Sequence, residues 1–378
     1  MIIPVTARTK PVIIIGGGQS GLAAAHAALT ARLRPVVLQA GSEPLGSWPD
    51  YYDSLTLFSP ARYSDLPGMP FDGDPDRYPR RDEVTTYLSR YAHTVDVDIR
   101  TRTRVTAVHP RRDGGYLVHT DTGDEIAAAG VVAASGSFGN PYLPRLPGQD
   151  DYAGDVRHVA QYRRPEMYAG KRVIVVGAGN SAVQVAYEIA AHARVTLATR
   201  EPVRFLPQRL GGRDLHHWLR VTGADRLPRR ILTRLVRHAA VLDTGVYRDA
   251  LACGLLSRRD MFTAFAPDGV IWADGTPEPV DAVIFATGYR PDLAYLTPLG
   301  ALDQGAPRQV GGISTTHPGL VYLGLEFQRS FASNTLRGVG RDATHVMTAL
   351  AAHLSGRPRR GRQRRADAVS RTGHGAQR

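Results

Sequence analysis

The chain has almost no cysteine, little lysine and no long apolar run. Cys253 is its single cysteine, which excludes an internal disulfide and a redox-active dithiol, and we expect a buried structural thiol. No stretch approaches the roughly 18 apolar residues of a membrane helix, and the N-terminus lacks the apolar core of a signal peptide. We therefore expect a cytoplasmic protein with no membrane partner.

Arginine carries the positive charge, because only Lys10 and Lys171 of the 47 basic residues are lysine. Residues 355–378 hold eight Arg and one Asp, and so +7 of the net charge of +12. The remaining +5 is ordinary for an enzyme and argues against a nucleic-acid partner. We expect 355–378 to be a basic, disordered tail, with binding to a polyanion or a membrane surface as the alternative.

A glycine-rich loop near the N-terminus is the strongest local signal. The stretch VIIIGGGQSGLAAAHAAL, residues 12–29, predicts a strand, a tight turn and a helix, and a second strand follows at 35–39. Gly16 makes the turn, Gly18 lets the backbone approach a pyrophosphate, and Gly21 lets the helix pack on the sheet. Phosphates bind well at such a helix N-terminus. The alternative is a plain glycine turn.

Two further features belong to this first unit. Gln39 stands 18 residues past Gly21, where a dinucleotide unit usually presents an acid; its amide can bond ribose hydroxyls, or it is a surface amide at a strand end. The next segment, GSEPLGSWPDYYDSLTLFSPARYSDLPGMPF, is dense in proline, glycine and aromatics. It is too apolar for a linker and too irregular for a helix, so we expect it to cover a ligand.

The same pattern occurs a second time. A strand at 172–176 runs into Gly177-Ala178-Gly179-Asn180-Ser181-Ala182, a helix to about 193 and a strand at 194–199. Each half then has a hairpin (116–120 with 125–129; 270–273 with 280–286) and ends a strand at a small hydroxyl residue and glycine: Ser135-Gly136 and Thr287-Gly288. We predict an α/β fold of two Rossmann-like dinucleotide-binding domains, the second inserted in the first.

The predicted domain bounds follow from this repeat. The first part of one domain covers 1–155, the inserted domain covers 156–284 with a helical insertion at 201–262, the second part of the first domain covers 285–354, and the tail covers 355–378. Two pyrophosphate sites on one chain suggest electron transfer between a nicotinamide and a flavin. Arg200, at the end of the strand 194–199, suits the 2′-phosphate of NADPH, although the neighbouring Glu201 leaves NADH as the alternative.

Between the two halves lies a spaced set of residues: Tyr152, Gly154, His158 and Tyr162. Together with GGGQSG at 16–21, Gly46-Ser47-Trp48, GAGNSA at 177–182 and ATGYRPD at 286–292, it resembles the flavin-containing monooxygenases over residues 11 to about 350. The resemblance implies FAD in the first unit and NADPH in the second. It also implies a flavin hydroperoxide, formed with O2, that oxygenates a soft nucleophile carrying nitrogen, sulfur or arsenic.

The resemblance assigns His158 and Tyr162 to the hinge, where they organise the nicotinamide and the domain contacts; a turn-capping role is the alternative for His158. The expected cofactor contacts are Gly16, Gly18, Gln19, Ser20, Gly21, Gln39, Gly46, Trp48, Gly136, Gly177, Gly179, Asn180, Ser181, Arg200, Gly288, Leu336 and Arg337. Leu336 and Arg337 begin a helix after a strand at 321–325, and its N-terminus can stabilise charge on the reduced flavin. Arg337 is alternatively a phosphate or surface contact.

The sequence departs from that family at two places. The loop before Ser64-Asp65-Leu66-Pro67 reads LTLFSPARY and lacks the asparagine that many members carry, and Tyr162 stands where ring-expanding relatives have tryptophan. SLTLFSPARYSDLPG and TLRGVGRDA are similar to a bacterial branch associated with arsenic-resistance operons.

Two alternatives remain for the activity. The enzymatic alternative is an NADPH oxidase or reductase that passes electrons to O2, a quinone or a protein; the other is a catalytically silent nucleotide-binding sensor.

The insertion carries further candidate residues. His216 and His217 point about 100° apart on a predicted helix, so we expect surface or cleft-lining side chains and no metal site. Phe205, Trp218 and Phe262 are candidates for a substrate lid, and a homodimer is left open.

Overall fold

Two largely parallel sheets, each organised around one of the glycine loops, form the molecule. The computed structural model describes residues 10–224, 227 and 240–356. The first sheet has seven strands: Val12–Ile15, Pro35–Leu38, Asp98–Arg100, Gly130–Ala133, Gln309–Val310, Ile313–Ser314 and Leu320–Tyr322. The second has five: Asp155–His158, Arg172–Val176, Arg194–Thr199, Ser257–Asp260 and Ala282–Phe285. This is the predicted α/β class with two dinucleotide-binding units.

The strand that leads into each glycine loop lies inside its sheet. Val12–Ile15 pairs in parallel with Pro35–Leu38 on one side and Gly130–Ala133 on the other. Arg172–Val176 pairs in the same way with Arg194–Thr199 and Ala282–Phe285. All four residues of Val12–Ile15 are buried, as expected for a strand covered on both faces. Both loops therefore emerge at the carboxyl edge of a sheet, where nucleotides bind in such folds.

Six helices are described: α1 Gln19–Thr30, α2 Arg81–Thr94, α3 Asn180–Ala190, α4 Leu215–Val221, α5 Val246–Ala252 and α6 Leu336–Leu354. α1 packs against α6, and their apolar faces share one core with α2. Helix α2 has the predicted bounds. Short 3₁₀-helices lie at Trp48–Asp50, Ala61–Tyr63, Gln149–Asp151, Val159–Gln161, Pro165–Tyr168 and Ala294–Leu299. None of the helices in the described part of the chain has the length and apolarity to cross a bilayer.

The smaller sheets flank these two layers. Three strands form one of them, Val105–Pro110, Tyr116–Thr120 and Glu125–Ala128, and another is formed by Ala264–Ala266, Gly269–Ile271 and Pro277–Pro279. Two-stranded pairs join Arg204–Pro207 with Ala240–Asp243, Arg209–Leu210 with Arg213–Asp214, and Leu302–Asp303 with Ala306–Pro307.

The second hairpin corrects one sequence prediction. Gly269–Ile271 pairs with Pro277–Pro279 and not with 280–286. Ala282–Phe285 is instead a fully buried strand of the five-stranded sheet. The two prolines concealed the hairpin strand, because proline lacks the N–H that a sheet interior needs and is tolerated only at an edge.

The insertion and the cysteine give two further corrections. The described part of 201–262 contains strands as well as α4 and α5, and its strand Ser257–Asp260 belongs to the second sheet. Cys253, predicted to be buried, is exposed, because it follows the last residue of α5 while Ala250 faces the core. Residues 225, 226 and 228–239 of the insertion and 357–378 of the tail lie outside the described residues. The domain bounds stay a prediction.

Candidate active site at the junction of the two units

The first glycine loop is shaped by close backbone approaches. Gly16 has φ +106°, and a Cβ there would lie 2.5 Å from the carbonyl oxygen of Ala134. A Cβ on Gly21 would lie 1.8 Å from the carbonyl oxygen of Gly16, and one on Gly18 would lie 3.1 Å from the Cα of Gly46. No side chain caps the N-terminus of α1. Its first N–H groups are therefore left for an anion, which fits a pyrophosphate.

Polar side chains form hydrogen bonds at this loop and connect it to neighbouring segments. Gln39 is buried, and its Oε1 accepts a hydrogen bond of 2.7 Å from the backbone N–H of Gly17, so it is not a surface amide. Gln19 accepts from the indole Nε1 of Trp48 at 3.1 Å and donates to the carbonyl of Asn334 at 2.8 Å. Ser20 is buried where Gly324 passes closely. The loop, Trp48 and the start of α6 therefore meet at one place.

The second loop repeats this construction with one change. Gly177 has φ +139°, and a Cβ there would lie 2.6 Å from the carbonyl oxygen of Ala286. A Cβ on Gly179 would meet nothing within 4 Å, so space is open beside the start of α3. Asn180 accepts at Oδ1 from the N–H of Leu242, and no side chain caps α3, which includes Ser181. This open, uncapped helix start fits a second nucleotide phosphate.

The two segments that cross between the units run beside each other. Gly136 and Gly288 both have positive φ, at +73° and +82°. The carbonyl of Gly136 accepts from the N–H of Asp292 at 2.9 Å, and the carbonyl of Gly288 accepts from that of Tyr142 at 3.0 Å. Because Gly16 and Gly177 back onto Ala134 and Ala286, both loops sit at the ends of these crossings. The crossings therefore form the joint between the two units.

His158 fastens that joint. Its side chain is buried, its Nδ1 accepts from the N–H of Ala160 at 3.1 Å, and its Nε2 lies 3.0 Å from the carbonyl oxygen of Gly288. The carbonyl can only accept, so Nε2 carries the proton. Burial lowers the pKa of His158 below its usual value of 6.5. The neutral imidazole thus caps a turn and holds the crossing at once.

His158 gives a pH-dependent prediction. His158 takes up a proton near pH 6.5 in the unfolded chain, but only at lower pH in the folded protein. The contribution of neutral His158 to folding stability is therefore complete above pH 6.5 and is lost as the pH falls below that value. We expect the loss of Tm between about pH 7.5 and about pH 5.5 to be smaller in His158→Gln than in the wild type. His353→Gln, at an exposed histidine of α6, is the control. An unchanged Tm profile in His158→Gln would contradict this description.

Tyr162 lies behind the joint. It is buried between the rings of Tyr52 and Tyr168, at centroid distances of 5.9 and 6.0 Å. Burial raises the pKa of its hydroxyl, and the carboxylate of Glu188 nearby raises it further. Tyr162 therefore stays protonated at neutral pH and acts by packing.

A row of aromatic rings spans the joint, and sequence reasoning missed most of it. Neighbouring ring centroids are 5.5 Å apart for Trp48 and Tyr51, 4.5 Å for Tyr51 and Phe138, 5.3 Å for Phe138 and Tyr289, and 4.9 Å for Tyr289 and His158. The signal was present, since Phe138 and Tyr289 each stand two or fewer residues after Gly136 and Gly288. We refer to these five residues as the aromatic row.

Arg200 is exposed at the end of Arg194–Thr199. A second guanidinium, not singled out from the sequence, lies on the neighbouring strand: Arg258 donates from Nε to the hydroxyl of Thr199 at 2.8 Å and pairs with Asp260. Two arginines thus flank the strand end where a dinucleotide unit presents its ribose-binding side chains.

Comparison with known proteins agrees with this arrangement. The sequence profile of the pyridine nucleotide-disulphide oxidoreductases matches residues 13–241. An uncharacterized CzcO-like oxidoreductase of Geobacillus kaustophilus is 30% identical, over 90% of this chain and 98% of that protein. Indole-3-pyruvate monooxygenase YUCCA1 of Oryza sativa subsp. japonica is 32% identical, over 74% of this chain and 76% of its own. The flavin-containing monooxygenase of Stenotrophomonas maltophilia superposes with a TM-score of 0.78 at 32% identity, over 91% and 98% of the two chains.

The chain belongs to the flavin-containing monooxygenase family. It is a flavin-dependent monooxygenase, and membership of this family implies binding of a flavin and a nicotinamide nucleotide. The matching profile is named for disulphide chemistry, but this monooxygenase has one cysteine, Cys253, and so has no intrachain dithiol to reduce a disulfide.

The remaining candidates in this monooxygenase have different environments. Phe262 is buried against Phe265 and Trp272 in the core of the second unit, so it is not part of a lid, whereas Trp218 is 39% exposed. His216, expected to be a surface or cleft-lining residue, is buried at 1% exposure and bonded to Asp214, so it is not a surface side chain. It became buried because the strand and loop before α4 fold against the stretch around Phe58.

The start of α6 and the stretch that lacks the asparagine both have side chains packed into the protein. Leu336 is buried in the core at the first turn of α6, and Arg337 is half-buried beside it. In the stretch that lacks the family's asparagine, Ser59 and Ser64 are buried, and their hydroxyl oxygens are 2.8 Å apart. These hydroxyls therefore bond within the stretch.

Proposed function

We propose that this protein is an NADPH-dependent, FAD-containing monooxygenase that oxygenates a soft nucleophile, a nitrogen, sulfur or arsenic atom of a small molecule. FAD would lie on the first glycine loop, with Gln39 at its ribose and Trp48 beside the loop. NADPH would lie on the second loop, with Arg200 at its 2′-phosphate. When bound, the flavin would supply the redox chemistry by which NADPH, a proton, O2 and the substrate give NADP⁺, water and the oxygenated substrate.

The observation that carries this proposal is the joint. Both loops sit at the ends of the two crossings, and the aromatic row bridges the space between them. Two nucleotides bound on these loops with their phosphates at the helix starts would direct their redox rings toward the same joint. His158 and Tyr162 hold the joint without moving protons, because His158 uses both ring nitrogens in hydrogen bonds and Tyr162 stays protonated.

The residues of this chain supply binding, orientation and exclusion of water. The uncapped starts of α1 and α3 would hold the phosphates, and the rings of the row would pack against the redox groups. The stretch after Trp48 covers the joint, since Tyr51 contacts Phe138 and Tyr52 donates to Gln184 of α3 at 2.6 Å. Such cover excludes water from the reaction.

The test uses the purified, flavin-loaded protein with NADPH, O2 and one of three probes: methyl phenyl thioether, trimethylamine or arsenite. We expect at least one probe to be oxygenated with close to one product per NADPH consumed. Release of all electrons as H2O2, or transfer to a quinone alone, would instead identify an oxidase or reductase. Absence of flavin reduction by NADPH would identify a nucleotide-binding sensor.

A further inference from the structure

A buried acid in the insertion has an unusual set of partners. Asp214 caps the N-terminus of α4 and is 8% exposed. Its Oδ1 accepts from the backbone N–H and the Nδ1 of His216 at 2.8 and 2.7 Å, and its Oδ2 accepts from the hydroxyl of Tyr78 at 2.5 Å and from Nε2 of Gln208 at 2.7 Å. These bonds outweigh burial and lower the pKa of Asp214 to about 2. The carboxylate is therefore charged and fully bonded at neutral pH.

These partners come from two distant parts of the chain. Gln208 and His216 belong to the insertion, whereas Tyr78 is 136 positions away from Asp214. Gln208 also donates to the carbonyl of Phe58 at 2.9 Å. The imidazole of His216 stacks near the rings of Phe58 and Tyr63, at 6.0 and 6.4 Å. Asp214, His216, Tyr78 and Gln208, which we call the insertion clamp, thus fix the stretch 58–78 to the insertion.

The clamped stretch is the continuation of the segment that covers the joint. Tyr51 belongs to the aromatic row, and Ser54 donates to Glu188 of α3 at 2.9 Å. Leu57 donates from its N–H to the carbonyl of Pro79 at 2.8 Å. The segment 51–58 is therefore held at one end by the joint and at the other by the clamp. Phe58 is only seven residues from Tyr51, so a shift of Phe58 can reach the aromatic row.

We propose that the insertion clamp is a positioning device for oxygen transfer, which rests on the function proposed above. The clamp holds 51–58 over the joint, so that the substrate nucleophile meets activated oxygen in a water-free space. With the clamp intact, NADPH, a proton, O2 and the substrate give NADP⁺, water and the oxygenated substrate. With the clamp broken, the two electrons of NADPH and two protons reduce O2 to H2O2, and the substrate is unchanged.

The test removes single groups from the clamp. Tyr78→Phe deletes only the hydroxyl that donates to Asp214, and His216→Phe keeps an aromatic ring but loses the donor. His216→Asn restores a donor near the position of Nδ1. Tyr116→Phe is the matched control, because it deletes a hydroxyl that donates to the carbonyl of Pro318 at 2.7 Å, in a hairpin outside the clamp. Each protein is supplied with NADPH and the probe that the wild type oxygenates, and the H2O2 formed per NADPH consumed is measured. Amide hydrogen exchange is measured at Leu57 and Leu215.

We expect Tyr78→Phe and His216→Phe to raise the H2O2 fraction several-fold and to speed exchange at both amides, with FAD content and the rate of flavin reduction unchanged. His216→Asn and Tyr116→Phe should remain near the wild type. Unchanged exchange, or faster exchange with an unchanged H2O2 fraction, would overturn the proposal. A wild type that oxygenates none of the probes would refute the proposed function, and that failure is recognised separately because it precedes any variant.

Discussion

Gly18→Val is expected to yield a folded protein that no longer retains its flavin. Gly18 has φ −77° and ψ −168°, an extended conformation that valine adopts without strain. Its Cβ would lie 3.1 Å from the Cα of Gly46, so the branched side chain must project into the space between the two glycines. That space is where the backbone N–H groups would approach the pyrophosphate. Losing two such charge-assisted hydrogen bonds corresponds to a weakening of FAD binding on the order of 100-fold or more.

The second unit provides a matched variant for this experiment. Gly179→Ala alters the equivalent loop position, where a Cβ would meet nothing within 4 Å of the protein. We expect Gly179→Ala to keep its flavin and to raise the KM for NADPH by roughly tenfold, because the methyl occupies space meant for phosphate. The flavin-to-protein ratio after gel filtration measures flavin retention, far-UV circular dichroism checks that each variant is folded, and steady-state kinetics measure the KM for NADPH. A Gly18→Val protein with a full flavin complement would refute the placement of FAD on the first loop.

Local signals predicted the loops well because their geometry is set by a few residues. Gly16 and Gly177 have positive φ and lie against a backbone carbonyl, so only glycine fits at these positions. The positions of these glycines in the sequence therefore predict the turns directly. Helix α2 was also predicted with its observed bounds, since Asp82 and Glu83 favour a helix start and its apolar residues recur at helical spacing. In such places local chemistry and tertiary structure agree.

The parts that the sequence did not reveal depend on contacts between distant segments. Phe138 and Tyr289 become neighbours because the two crossings pair, and His216 becomes buried because the segment before α4 folds against the distant stretch around Phe58. A histidine pair on a short helix gives no sign of such a partner. Pro277–Pro279 became a strand because its position at a sheet edge overrides the low strand propensity of proline. Side-chain environments of this kind are set by topology, and no local pattern encodes them.

Arg200→Ala is expected to change the choice of nucleotide more than any other single substitution outside the loops. Arg200 is exposed at the end of its strand, so its removal leaves no cavity and does not affect the core. A guanidinium bonded to a 2′-phosphate contributes about 1.5 to 3 kcal/mol, which is roughly a 10- to 100-fold rise in KM for NADPH when it is lost. NADH has no 2′-phosphate, so its KM should change by less than about twofold.

The neighbouring arginine makes the experiment more specific. Arg258 is already bonded to Thr199 and Asp260, so Arg258→Ala should change the strand end and raise the KM for both nucleotides modestly. Arg145→Ala, at an 87% exposed side chain, is the control for a general loss of positive charge. Steady-state kinetics with both nucleotides measure the ratio of the two KM values for each protein. If Arg200→Ala raised both KM values equally, the 2′-phosphate would lie elsewhere, and Arg258 would be the better candidate for holding it.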